Sequence, residues 1–498
     1  MQPGSSPPPP VDPDHLYRNL LGEVRAGRFQ SARDQLLAAF PAPPREARFE
    51  QLLGLAHRGL LDSAPAHAAF ARAAQSSPAD PLIAHSLART AFEAGWQSTA
   101  LFERAHQLSP ADGSVLIGRA AARLAEGQGQ TALEELTVLL AEHPGWIEGH
   151  QTYAQIAAVI DLDGDSCATL KTALSREPGN SPLHQTLIQQ HLGAYRYDLA
   201  LGALHNARAA LGPSEALSRL EASALGEAGE PEAALAILAP LPLPADGDSV
   251  ICVLRNLIRC ARYSDALALA ERPYPEPGLA SVWPYRALLW RLLDDARWDW
   301  LEGDERLIRE CDLSASLGTL SHLADFLRGL HRGSGAPLDQ SVRGGTQTDG
   351  HLFARADPEI RALRGAIDAA VADYVTQLPA ADPTHPTLSA PRAPLRFAGA
   401  WSVRLRGAGY HHDHVHSHGW ISSALYVALP DTQADEAEAG WLTFGENLRL
   451  LPDLAAFRTV KPVPGRLVLF PSTTWHGTRT FGSGERLTVA FDIARPTP

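Results

Sequence analysis

Residues 401–429, "WSVRLRGAGYHHDHVHSHGWISSALYVAL", set five histidines in eight positions between two segments of strand character. On either side apolar and polar residues alternate, in "WSVRLRG" and "ISSALYVAL". A period of two argues for strands with one buried face. Further on, "GWLTFGE", "GRLVLFPS" and "RLTVAFDIA" read the same way, divided by glycine, proline and acidic loops. Short strands at regular intervals without intervening helices predict a sandwich or jelly roll from Phe397 onward.

Upstream the period changes. From about residue 15 to 330 the chain is rich in alanine and leucine, with apolar residues at helical spacing. Breaks recur at Pro78, Pro110, Pro144, Pro178 and Pro213, at intervals of 32, 34, 34 and 35 residues. A period near 34 with two helices per unit resembles the tetratricopeptide repeat. In "LARTAFEAGWQSTALFERAHQLSP", 87–110, Ala94 and Gly95 close one helix, while Ala100 and Ala105 let the next pack closely. Such units bury their apolar faces only by stacking, which predicts a solenoid. A docking surface for a peptide or protein is its favoured use; a rigid spacer or self-association platform is the alternative.

The expected fold class is therefore α + β and multidomain: an N-terminal all-α tetratricopeptide-like solenoid followed by a C-terminal jelly roll. The expected boundaries are a disordered proline-rich tail at 1–14, the solenoid at 15–330, and a linker with a supporting helix at 331–396. The jelly roll spans 397–498. Asp357 and Pro358 open the supporting helix as N-cap and first helical residue. "GGTQT", 344–348, lacks a phosphate-loop lysine and reads as a loop near the barrel mouth.

Composition narrows the function classes. The chain has 498 residues, 45% of them apolar, and a net charge of -13. That charge disfavours nucleic acid or anionic lipid as the main partner. No apolar run approaches the roughly 18 residues of a membrane span, and "MQPGSSPPPPVDPD" does not resemble a signal peptide, so a cytoplasmic location is expected. Lysine occurs only at Lys171 and Lys461 amid abundant arginine and alanine, as in GC-rich bacteria. Cys167, Cys252, Cys260 and Cys311 show no CxxC spacing and read as free thiols on helices.

Within the histidine cluster, residues two apart on a strand share a face. That groups His414 with His416, His411 with Asp413, or His412 with His414. His476, just past an apolar strand, offers a third ligand. Arg486 lies ten residues further on, with Thr488 on its face of the last strand. Trp401, Trp420, Trp441 and Trp475 read as core aromatics. His412 and His418 are assigned no ligand role.

A close ligand pair, a distal histidine and an arginine ten residues later resemble the 2-oxoglutarate/Fe(II)-dependent oxygenases. "HVHSHGWISSALYVALP", "GWLTFG" and "GRLVLFPSTTWHGT" are similar to bacterial members with N-terminal tetratricopeptide repeats. The similarity covers about 397–493, with "RGGTQTDG" upstream. The resemblance implies a double-stranded β-helix with Fe(II) and 2-oxoglutarate as cofactors. It also implies hydroxylation of a substrate C–H bond, on a protein or peptide docked in the solenoid groove. Three ligands on one octahedral face leave room for the cosubstrate and O2. Arg486 and Thr488 are then the expected partners of its far carboxylate.

The family's first pair is His-x-Asp or His-x-Glu, and this chain departs from it. The glycine turn at Gly407 and Gly409 favours the register in which His414, His416 and His476 hold the metal. The competing register pairs His411 with Asp413. Two further readings stand beside the enzyme: a non-catalytic metal-binding repeat scaffold, and a zinc hydrolase that lacks an evident general base. Because all these ligands fall in one strand-rich unit, the fragment from about 335 to 498 is expected to keep metal binding.

Overall fold

The computed structural model describes residues 12–43, 45–160, 164–276, 278–333, 341–430 and 438–496. Most of the expected proline-rich tail, residues 1–11, lies outside the described residues. Asp12 accepts a hydrogen bond from the Asp14 amide and caps the first helix, Pro13–Arg25. The chain divides into two compact units, Met1–Ala132 with Phe353–Arg361, and Leu133–Leu352 with Ala362–Pro498. No helix among the described residues is long and apolar enough to cross a membrane.

Helical hairpins run through the region of the 34-residue period, and the proline breaks explain their ends. Four of the five breaks hand the chain to an N-cap: Asp80, Asp112, Asn180 and Ser214 accept hydrogen bonds from the first-turn amides of the next helix. In eight of the hairpins, among the described residues, the turn holds one left-handed residue. That residue is Gly27, Leu61, Gly95 and Gly127, and later Tyr195, Gly229, Ala261 and Asp294. The period thus persists past residue 215, where the sequence match to the repeat fades. Leu61, Tyr195, Ala261 and Asp294 take this conformation without glycine's freedom, at a cost of roughly 1–3 kcal/mol each.

Among the described residues nine strands build the C-terminal architecture: β1 (Arg309–Asp312), β2 (Val342–Gln347), β3 (Phe397–His411), β4 (Gly419–Ala428), β5 (Leu442–Phe444), β6 (Arg458–Val460), β7 (Arg466–Pro471), β8 (His476–Thr478) and β9 (Glu485–Ala494). All pairings are antiparallel. One sheet runs β1-β7-β4-β9-β3-β2 and a second runs β6-β5-β8. Tyr426, Val468 and Phe470 of the first pack with Leu442, Phe444 and Val460 of the second in one core. Two antiparallel sheets with crossed connections and a shared interior form the jelly roll that the alternation predicts.

Two expectations change. "GGTQT" is not a free loop, because most of it lies in edge strand β2, paired with β3. Gly344 and Gly409 make this possible: a Cβ on Gly344 would lie 2.9 Å from the Gly409 Cα, and one on Gly409 2.7 Å from the Gly344 carbonyl. The register shifts there, so the glycines form a bulge rather than a turn before a ligand strand. Likewise Cys311 sits on a strand, β1, which borders β7.

The second unit has a core that helices and barrel share. Trp475, Leu450 and Leu451 pack with Val250, Leu254 and Leu289 of the repeat helices. The Trp475 indole donates to the Pro284 carbonyl at 3.0 Å, beside Tyr285 at a centroid distance of 5.6 Å. This bears on the fragment from 335. Cutting there strips β1 from β7 and exposes three large side chains whose burial contributes about 1.5–3 kcal/mol each. The fragment is expected to aggregate rather than bind metal. Analytical ultracentrifugation checks this, and a monodisperse, iron-binding fragment would contradict it.

Candidate metal centre

His414, His416 and His476 converge. Their candidate ligand atoms all lie within 4.8 Å of one another, and no other group of three or more such residues occurs among the described residues. Ring centroids are 4.3 Å apart for His414 and His476, 5.0 Å for His414 and His416, and 5.4 Å for His416 and His476. The backbone enforces this. The His414 amide donates to the His476 carbonyl at 2.9 Å, and the His476 amide returns the bond at 3.0 Å. The histidine segment is therefore not a strand along its length; residues 412–418 cross from β3 to β4 and touch β8 through this single bridge.

Each ring is committed at Nδ1. His414 Nδ1–H donates to the His412 carbonyl at 2.7 Å, and His476 Nδ1–H to the Thr474 carbonyl at 3.0 Å. His416 Nδ1 faces the Asp492 carboxylate at 2.5 Å. Carbonyls and carboxylates only accept, so Nδ1 carries the proton and a neutral ring keeps its lone pair on Nε2. Burial pushes the His414 pKa down to about 3, and burial also takes His476 well below its usual value. Three Nε2 lone pairs held together suit a divalent transition metal.

The alternative pair is not assembled. Asp413 turns away and accepts from the Leu448 amide at 2.8 Å, with burial raising its pKa to about 6. Gly477 makes room for it, since a Cβ there would lie 2.1 Å from the Asp413 carboxylate. His411 is half-buried near the cluster, its Nδ1 3.0 Å from the Ser341 hydroxyl and its ring 6.0 Å from that of His414.

Asp492 was not legible as a functional residue, although strand periodicity could have found it: Arg486, Thr488, Ala490 and Asp492 fall on one face of β9. Its other oxygen accepts from the Ser422 hydroxyl at 2.6 Å, and Ser422, its one proton committed there, accepts in turn from the Ser472 hydroxyl at 2.9 Å. A carboxylate behind a ligating histidine orients the ring and raises its basicity. Here it also places one negative charge next to a cluster that lacks a ligand carboxylate. Asp492→Asn is expected to weaken Fe(II) binding about 10- to 100-fold, read by chelator competition. Unchanged affinity would show that this charge is not used.

Further along the same face, Arg486 is 3% exposed and Thr488 is 6% exposed. The guanidinium lies over the Tyr426 ring at 5.0 Å, and its Nε and Nη1 have no hydrogen-bond partner among the described residues. The Tyr426 hydroxyl is close enough to act electrostatically, but without hydrogen-bond geometry. Burial lowers the Arg486 pKa from its usual value. A buried cation without an anion is expensive, and a ligand carboxylate would satisfy it. The residues present therefore fit both a metal and an anionic cosubstrate.

The predicted core aromatics divide. Trp420 and Trp475 are buried, their indoles bonded to the Thr387 and Pro284 carbonyls. Trp401 is only half-buried and stacks on the His416 ring at 5.8 Å.

Fold and site together define a jelly roll with a cluster of three histidines and a buried arginine on one face of its last strand. Residues 399–492 match the family model described as "Putative 2OG-Fe(II) oxygenase". The C-terminal region thus carries a 2-oxoglutarate/Fe(II) oxygenase domain, whose cofactors are Fe(II) and 2-oxoglutarate. No curated protein matches the chain. Among solved structures, a tetratricopeptide repeat protein from Parabacteroides merdae aligns at 16% identity, covering 46% of this chain and 91% of its own, with a TM-score of 0.30. HygX from Streptomyces hygroscopicus, with nickel and 2-oxoglutarate bound, aligns at 15% identity over 38% of this chain and 83% of its own, TM-score 0.28. A Pseudomonas putida prolyl-4-hydroxylase aligns at 17% identity over 38% and 94%, TM-score 0.27.

Proposed function

We propose that the protein is an Fe(II)- and 2-oxoglutarate-dependent hydroxylase acting on a protein or peptide docked by its repeats. His414, His416 and His476 hold the metal through Nε2, and Arg486 with Thr488 holds the far carboxylate of the cosubstrate. When bound, the pair supplies oxidative C–H hydroxylation coupled to decarboxylation of 2-oxoglutarate. The chain's own residues bind and orient. Asp492 fixes the His416 ring, the carbonyls of His412 and Thr474 fix the other two, and the buried strand face around Arg486 excludes water.

The observation that carries this reading is the buried guanidinium of Arg486, whose Nε and Nη1 find no hydrogen-bond partner among the described residues, on the same strand face as the carboxylate behind His416. A metal-binding scaffold has no use for an uncompensated cation there. A hydrolase needs a general base beside the metal, and the nearby carboxylates Asp413 and Asp492 are committed to Leu448 and His416.

The test is anaerobic titration of the full-length protein with Fe(II), then 2-oxoglutarate. Growth of a visible metal-to-ligand charge-transfer band on adding 2-oxoglutarate is the expected result. Iron binding with no such band would favour the scaffold.

A further inference from the structure

A cavity of about 370 Å³ opens beside the metal cluster, within the second unit, and reaches His414. One wall is the histidine segment with Trp475; the other is the repeat turn at Tyr195 and the helices Glu215–Ala228 and Gly247–Arg259. The repeats therefore form part of the wall of the site itself.

Tyr195 is the unusual element of that wall. It holds a left-handed backbone, φ +59°, at the hairpin position where four other repeats place glycine. Its side chain is 36% exposed, stacked on His412 at 5.1 Å and flanked by the guanidiniums of Arg343 at 4.1 Å and Arg449 at 4.6 Å. Arg449 donates to the Tyr197 hydroxyl at 2.6 Å and approaches Glu227 only at 3.7 Å. The other oxygen of Glu227 is already engaged by Arg255 at 2.7 Å and Arg259 at 2.8 Å. One carboxylate thus answers three guanidiniums, and Asp413 is turned to the Leu448 amide.

We propose that this cavity receives an acidic side chain of the substrate peptide, its carboxylate on Arg449 and its stem against the Tyr195 ring. A single carboxylate matches the local surplus of positive charge, whereas a doubly charged phosphate would be repelled by Glu227 and Asp413. The inference rests on the peptide-hydroxylase reading above and specifies which peptides satisfy it.

The test uses full-length protein loaded with Ni(II) and 2-oxoglutarate, and synthetic peptides with glycine-serine flanks around one central residue: aspartate, glutamate, asparagine, lysine or phosphoserine. Calorimetry is expected to rank the aspartate and glutamate peptides at least tenfold above the rest. Arg449→Gln should remove that preference, and Arg449→Lys should recover part of it. Tyr195→Gly supplies the control for folding, because glycine relieves the left-handed turn; its melting temperature should hold or rise while acidic peptides bind at least fivefold more weakly. Preference for lysine or phosphoserine, no peptide bound at millimolar concentration, or an acidic preference that survives both substitutions would each overturn the proposal. The charge-transfer band, measured anaerobically on a parallel Fe(II)-loaded sample of the same protein, separates the two readings. A normal band without peptide discrimination removes only the acidic cavity, while a missing band removes the oxygenase reading.

Discussion

His476→Ala is expected to lower Fe(II) affinity on the order of a thousandfold. If a total of about 10–16 kcal/mol is shared among three equivalent donors, losing one costs roughly 3–5 kcal/mol. His414→Ala should behave alike, because the two are locked side by side by paired backbone hydrogen bonds that alanine leaves intact. His416→Ala removes both a donor and the ring that Asp492 holds, so it should cost at least as much. His411→Ala should be milder, since its Nδ1 reaches the cluster only through the Ser341 hydroxyl, which lies 3.0 Å from it and 3.4 Å from His414 Nε2. Asp413→Ala is the discriminating variant. Its carboxylate accepts from Leu448, so alanine should loosen the turn before Arg449 and leave iron bound. Chelator competition on all five, with apo melting temperatures alongside, reads the pattern. Iron lost in Asp413→Ala and kept in His416→Ala would install the other register.

How much of this could be read from the chain depends on whether the deciding interaction is local. The repeat period was legible because the proline breaks and caps are local, and the left-handed turns follow it even where Tyr195 or Asp294 replaces glycine. β3, β4, β7 and β9 were legible from alternation. β1 was not: "RECD" has no apolar alternation and is a strand because β7 offers it an edge. β2 was hidden by its glycines, which are explained by the approach of Gly409, 65 residues beyond Gly344 in sequence. At the site, histidine spacing exposed the three rings. What orients them was invisible, since the pairing of His416 with Asp492 depends on the neighbouring strands β4 and β9. The shared core of Trp475 and the repeat helices was equally non-local, and it is why a boundary drawn from composition near 330 says little about which fragment folds.

Arg486→Ala is expected to weaken 2-oxoglutarate by about 1.5–3 kcal/mol, ten- to a hundredfold, through loss of a charge-assisted pair. Iron affinity should stay nearly unchanged, because the residue lies along β9 from the histidines and bonds to none of them. Arg486→Lys should recover only part, a point charge being a poor copy of the planar fork. Stability separates an anchor from a structural arginine. A guanidinium that holds the fold together would destabilise it by several kcal/mol when removed. Here Nε and Nη1 are buried without partners, so the apo protein already bears the cost of that charge. Arg486→Met, which keeps the bulk over the Tyr426 ring and drops the charge, should therefore leave the apo melting temperature unchanged or raise it. The same variant should lose the extra stabilisation that 2-oxoglutarate gives the iron-loaded wild type. A lower apo melting temperature with unaltered 2-oxoglutarate affinity would reassign Arg486 to the fold, and the anion seat would have to be sought elsewhere on the inner face of β9.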